Sequence, residues 1–121
     1  MKTLKQFFNQ LKRKPLFLGA FNDSEHVFNS FAKDVDDSIK ICYAAYEMDG
    51  YEGSAVVFYY NKKDKKFYEI YGSHCSCYGL EESWKDDGSE VNFKELENRL
   101  ENGYLYDAGE FKRVWLEFKN K

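Results

Sequence analysis

The sequence predicts an α+β domain of order ααβββαα, in which flanking helices pack a three-stranded antiparallel meander. Three observations carry that prediction. Apolar residues recur at helical spacing from Leu4 to Lys33 and again from Val91 onward. Between those stretches the period falls to two, the alternation of a strand. The connections inside the middle stretch are short, which suits antiparallel neighbours. A chain of 121 residues is a single domain by size, large enough to bury roughly two-thirds of its unfolded surface without metal or disulfide.

Residues 1–35 read as the N-terminal helices. Leu4, Phe7, Phe8 and Leu11 form the first stripe, Thr3 with Gln6 forms a capping box, and Pro15 stops the helix. Lys5, Lys12, Arg13 and Lys14 read as a solvated face. Asn22 with Glu25 repeats the capping box. Val27, Phe28, Phe31 and Ala32 then predict a helix from about Asp23 to Lys33, with His26 a surface residue in its first turn. The meander occupies residues 38–72. Ile39, Ile41, Tyr43 and Ala45 alternate against Lys40, Cys42, Ala44 and Tyr46 in the first strand. Ala55 to Tyr60, apolar or aromatic throughout, reads as a central strand covered on both faces, and Phe67 to Tyr71 as the third. Residues 73–90 read as a cysteine-containing loop, its end from Lys85 to Ser89 polar. Residues 91–121 read as C-terminal helices. Asn92 with Glu95 caps the stripe Phe93, Leu96 and Leu100, and Asp107 with Glu110 caps Phe111, Val114, Trp115 and Phe118. That last segment has enough β-propensity for a strand, but spacing and caps favour a helix.

Composition narrows the function classes. The 10 Tyr and 11 Phe make a globular chain, and tyrosine suits contact surfaces because it joins apolar area to a polar handle. Eighteen basic against 21 acidic residues leave a net charge of −3, which argues against nucleic acid as a direct partner. There is no apolar run of about 18 residues, so no membrane span is expected. Met1 to Phe8 begins like a signal peptide, but polar residues interrupt it and no cleavage site follows, so the expected location is the cytoplasm. Three cysteines, an odd number, fit reduced thiols.

The stretch from Gly72 to Trp84 is the least generic part of the chain. It holds His74, Cys75, Cys77, two glycines and a tryptophan. Cys75 and Cys77 could offer two thiolates to a soft metal, with His74 or Cys42 as further ligands, but zinc sites ordinarily use four ligands at paired spacings. A cysteine activated by His74, with Glu81, Glu82 or His26 approaching in space, would make a nucleophile. The structural reading outweighs both. In it the cysteines pack as small hydrophobes, Gly72 and Gly79 turn the backbone, Ser73 or His74 ties the loop, and Leu80 and Trp84 cover the end of the sheet. No phosphate-cradling loop or RNA-recognition signature is present, and no cofactor is expected.

Tyr51 to Phe58, Lys66 to Ile70 and the run Gly72-Ser73-His74-Cys75-Ser76-Cys77-Tyr78-Gly79-Leu80-Glu81 with Trp84 resemble a group of small uncharacterised proteins of bacteriophages and prophages. The resemblance covers about residues 50 to 100. It departs after Trp84, where that group often continues Pro-Glu and this chain has Lys85-Asp86, and it does not include the N-terminal helices. It implies a phage origin, and so the cytoplasm of an infected bacterium, without implying an activity. The expected function is therefore an interaction protein that binds and modulates a host factor, such as an inhibitor of a CRISPR or restriction defence. Its expected binding surface is Tyr46, Tyr51, His74, Cys75, Cys77, Tyr78, Glu81 and Trp84. The alternative is a metal- or thiol-dependent enzyme using His74, Cys75 and Cys77.

Overall fold

The computed structural model describes residues 2–50, 52–74, 80–81, 83–84, 88–102 and 108–121. Its elements are α1 (Leu4–Arg13), β1 (Leu16–Gly19), α2 (Ser24–Ser30), β2 (Ile39–Asp49), β3 (Glu52–Asn61), β4 (Lys66–His74), β5 (Ser89–Glu90), α3 (Phe93–Asn102) and α4 (Ala108–Lys119). The α+β class holds, and the C-terminal segment is a helix. The sheet, however, has five strands in the order β1-β2-β3-β4-β5 and is mixed. β1 runs parallel to β2, and every other pair is antiparallel.

The expected meander is thus the middle of a larger sheet, and the order ααβββαα is corrected by a strand added on each side. β1 follows the proline that ends α1. It has only four residues, too few to show a period, and it becomes a strand because β2 offers it an unpaired edge. β5 pairs two residues of the expected polar loop with Tyr68 and Glu69. β3 is central and buried on both faces, as its apolar run predicts.

Helix starts follow the sequence signals closely. Thr3 and Gln6 make both halves of the capping box, at 3.2 and 2.8 Å. Asn92 Oδ1 accepts from the Glu95 N–H at 3.0 Å. At α2 the cap is Asp23 rather than Asn22: Asp23 Oδ1 accepts from the His26 N–H at 2.8 Å. α2 also ends earlier than its stripe suggests. The N–H of Ala32 donates to Asn29 O and that of Lys33 to Phe28 O, with Ala32 at a φ of 52°. Those two bonds are a Schellman turn, formed here without the glycine that would have signalled it.

Two apolar clusters sandwich the sheet. On one face α1, α3 and α4 pack against Cys42, Tyr43, Ala45, Val56, Phe58 and Phe67. Phe8 is the hub, meeting the rings of Phe58, Phe67, Phe93 and Phe111 edge-on at 5.1 to 5.8 Å. On the other face α2, Phe21, Leu80 and Trp84 cover Ile41, Ala44, Ala55, Val57, Tyr59 and Ile70. Cys42 and Tyr43, neighbours in sequence, face the same side because the β2–β3 register slips between Ile41 and Tyr43. A β-bulge inverts the alternation beyond it. Ile41 and Tyr43, expected on one face, therefore point to opposite faces, and Tyr46 joins the face of Ile39 and Ile41.

The three-helix face also holds a charge. Glu69, on β4, is buried, and Arg99 of α3 reaches both its carboxylate oxygens at 3.0 and 2.9 Å. The Tyr71 hydroxyl donates to the same carboxylate at 3.1 Å. Burial, followed by the charge of Glu69, pushes the Tyr71 hydroxyl far above its ordinary range, so it stays a donor. Among the described residues no helix is long and apolar enough to cross a membrane.

Candidate functional site

Three small residues create the site. Gly53 on β3 lies opposite His74 on β4, and Ala55 lies opposite Gly72. Together they leave a shallow floor at one end of the sheet on the α2 face. A Cβ at Gly53 would stand 2.4 Å from His74 Nε2 and 2.9 Å from Tyr46 Cε1. A Cβ at Gly72 would stand 2.9 Å from Ser83 Oγ and 3.0 Å from Leu80 Cδ2. Both spacings are below van der Waals contact. The glycines are there so that the rings and the side chains of Leu80 and Ser83 can lie directly on backbone.

Over that floor the oxygen of the Tyr46 hydroxyl lies 2.6 Å from His74 Nε2, in a hydrogen bond between residues 28 apart in sequence. The hydroxyl donates when the imidazole carries its proton on Nδ1. Burial, and then the charge of Glu81, push the Tyr46 hydroxyl above the usual tyrosine range. It therefore keeps its proton at physiological pH. Phe21 packs on the Tyr46 ring with centroids 5.1 Å apart, and His26 meets Phe21 edge-on at 5.8 Å. A continuous row of rings thus runs from α2 across β2 to the end of β4. His26 accepts the Asn22 N–H on Nδ1 at 3.3 Å.

Trp84 belongs to the core and not to the exposed surface. It is 3% exposed, stacked on Tyr59 at 5.0 Å and Phe28 at 5.7 Å, with Phe31 edge-on at 5.6 Å. Lys33 Nζ lies 5.1 Å from the centre of its ring. Its indole N–H is buried without a hydrogen-bond partner among the described residues. Beside it an open depression of about 710 Å³ is lined by Lys33 to Asp37, Glu81 and Trp84. Glu81 itself is exposed at the rim.

Of the eight predicted binding residues, Tyr46, His74 and Glu81 come together at this corner, and Trp84 lies beneath the neighbouring turn. Tyr51, Cys75, Cys77 and Tyr78, and with them the centre of the proposed metal or thiol chemistry, fall outside the described residues, as do Glu82 and Gly79. Cys42, considered as a further metal ligand, is fully buried on the opposite face. Burial pushes its thiol up to about 12, against the opposing charges of Lys12 and Lys40. Among the described residues no group of three His, Cys, Asp or Glu side chains is placed to hold a metal. Sequence reasoning overlooks Phe21 and the close approach at Gly53. The available signal was that Gly53, Ala55 and Gly72 are small residues within strand-like stretches, which marks a close approach. Comparison of the chain with protein-family models, curated proteins and solved structures finds no match to any of them.

Proposed function

We propose that this chain is a binding module whose contact surface is centred on Tyr46, His74 and Glu81, and that it modulates a bacterial host factor as a small phage-encoded interaction protein. Inhibition of an anti-phage defence such as CRISPR or restriction is the specific form of that reading. The observation that carries it is the Tyr46–His74 hydrogen bond held over Gly53. An aromatic ring with a polar tip, fixed on a rigid strand, suits a contact surface because little side-chain freedom is lost when a partner docks. The same bond weighs against the metal- or thiol-dependent alternative. Nε2 is one of the two nitrogens through which His74 would ligate a metal or activate a thiol, and it is already engaged.

Affinity capture from lysate of the bacterial host tests the reading. The wild-type chain should retain a specific protein, and Tyr46→Ala and His74→Ala, with unchanged folding by circular dichroism, should each lose it by about tenfold, in the range of a contact hot spot. A Cys75→Ser/Cys77→Ser variant should retain it. The proposal fails if nothing specific is held, or if only the double serine variant loses the partner together with a stoichiometric bound metal.

A further inference from the structure

A second surface, independent of the Tyr46–His74 corner, lies at the outer edge of β1. The Ala20 N–H donates to Tyr46 O at 2.9 Å. In a parallel pair alternate residues face the neighbouring strand, so Leu16 and Leu18 bond to β2 while Phe17 and Gly19 turn their backbone N–H and C=O outward. β1 is the last strand on its side of the sheet, and no described residue pairs with that outer row. Natural edge strands are commonly blunted by charged side chains, proline or a bulge. Leu16-Phe17-Leu18-Gly19 has none of these within it, and its three apolar side chains are only half-buried.

Beside this edge, on the three-helix face, α1 and α4 leave a groove of about 290 Å³. Its floor is apolar: Phe7, Leu11, Leu16, Val114 and Phe118. Lys2, Lys14 and Lys121 stand along it. Its one acidic side chain among the described residues, Glu117, already accepts from Arg113 at 2.8 Å. Lys2 Nζ donates to Lys121 O at 2.9 Å, so the uncompensated cations of the rim are Lys14 and Lys121. A row of unsatisfied backbone groups, an apolar floor and an unbalanced basic rim therefore lie side by side, with Leu16 common to strand and groove.

We propose that the outer edge of β1 and the α1–α4 groove together form a strand-addition site for an extended, acidic segment of a partner protein. That segment places one apolar side chain in the groove and carboxylates against the lysines. Main-chain bonds to Phe17 and Gly19 supply the pairing, and the groove and its rim supply the selectivity. Residues two apart on one face of a strand are roughly 7 Å apart, so acids flanking the apolar residue at that spacing suit the rim. A second copy of this chain fits less well, because symmetric pairing would bring its Lys14 and Lys2 against these. The inference rests on the binding-module reading only for its biological sense, and its test uses no host protein, so either can fail alone.

The probe is the blocked heptapeptide Thr-Asp-Thr-Leu-Thr-Asp-Thr, titrated into the isotope-labelled chain. Saturable shifts are expected at the Phe17 and Gly19 amides and at Leu16, Val114 and Phe118, with slowed exchange of the two amides. Lys14→Glu should weaken binding by about fivefold, the scale of an exposed charge pair reversed. The same peptide with lysine for aspartate, or with alternate amides N-methylated, should not bind. The proposal is overturned by a titration that does not saturate, by equal binding of either control peptide, or by indifference to Lys14→Glu. It is equally overturned if the Phe17 and Gly19 shifts appear on concentrating the chain alone, which would make a second copy the occupant.

Discussion

The two faces of the sheet bury similar strands by different means. On one, three helices converge on Phe8, and each presents a stripe laid down at helical spacing. On the other, the seven-residue helix α2 shares the work with Phe21, Leu80 and a single indole, Trp84, stacked on Tyr59 and Phe28. The first arrangement is redundant, since Phe7, Phe8, Phe58, Phe67 and Phe111 each touch three or more other rings. The second rests on one short helix and a few separate side chains, and leaves room at the end of the sheet for the Tyr46–His74 corner. A contact surface sits more readily on the face that is less completely thatched.

The three-helix face is most vulnerable at its hub. Phe8→Ala should cost about 4 kcal/mol, because it removes one ring from four edge-on contacts and leaves a cavity that helices cannot easily close. Urea denaturation followed by circular dichroism measures it, and a loss below about 1 kcal/mol would deny the hub its role.

Alkaline titration probes the dryness of the same face. The Cys42 thiol is pushed up to about 12 when folded, against an ordinary value of 9.0. Between those two values the unfolded chain has released the proton and the folded chain keeps it. Stability from this group is thus fully present below pH 9 and lost as pH rises toward 12. The expected loss is about 3 kcal/mol, somewhat discounted for residual solvent. Cys42→Ala should show a shallower decline over that window, and parallel profiles would mean that solvent reaches the thiol.

Arg99→Met should cost about 2 kcal/mol, since it leaves the Glu69 carboxylate buried beside Tyr71 with its cation gone. Changing both residues to leucine should recover most of that loss. A double variant no better than the single one would show that the pair is a net stabiliser.

The opposite face should respond more mildly. Trp84→Phe keeps one ring in the stack and removes volume together with an N–H that has no partner among the described residues, so a cost of about 1 kcal/mol is expected from the lost volume alone. A loss matching that of Phe8→Ala would show that the indole N–H is engaged. The smallest effect runs the other way. Ala32 holds a φ of 52°, and Ala32→Gly should stabilise by roughly 0.7 kcal/mol, read as a raised melting temperature. A lowered one would mean that the methyl group packs.

What could be read along the chain was whatever repeats within a turn or two. The stripes of α1, α3 and α4, the caps at Thr3 and Asn92, and the doubly covered run of β3 all match the structure. Local reading failed where a distant strand decides. β1 is a strand only because β2 lies alongside it, and α2 stops at a left-handed alanine where its stripe still continues. At Cys42 one inserted residue reverses every orientation beyond it, and no composition marks that position. The site divides the same way. Tyr46 and His74 are each legible as candidates, but not their pairing, and Trp84, expected both to cover the end of the sheet with Leu80 and to join the binding surface, is buried in the first of those roles.

The class, the helical stripes and the central strand are written locally, because they follow from the 3.6- and two-residue periods of neighbouring side chains and from caps three residues long. The mixed sheet, its open edge at β1 and the meeting of Tyr46 with His74 over Gly53 come from packing between distant segments. Register between strands is a long-range choice, settled by the bulge and by which side chains leave room for others, and a residue's own neighbours along the chain do not encode it.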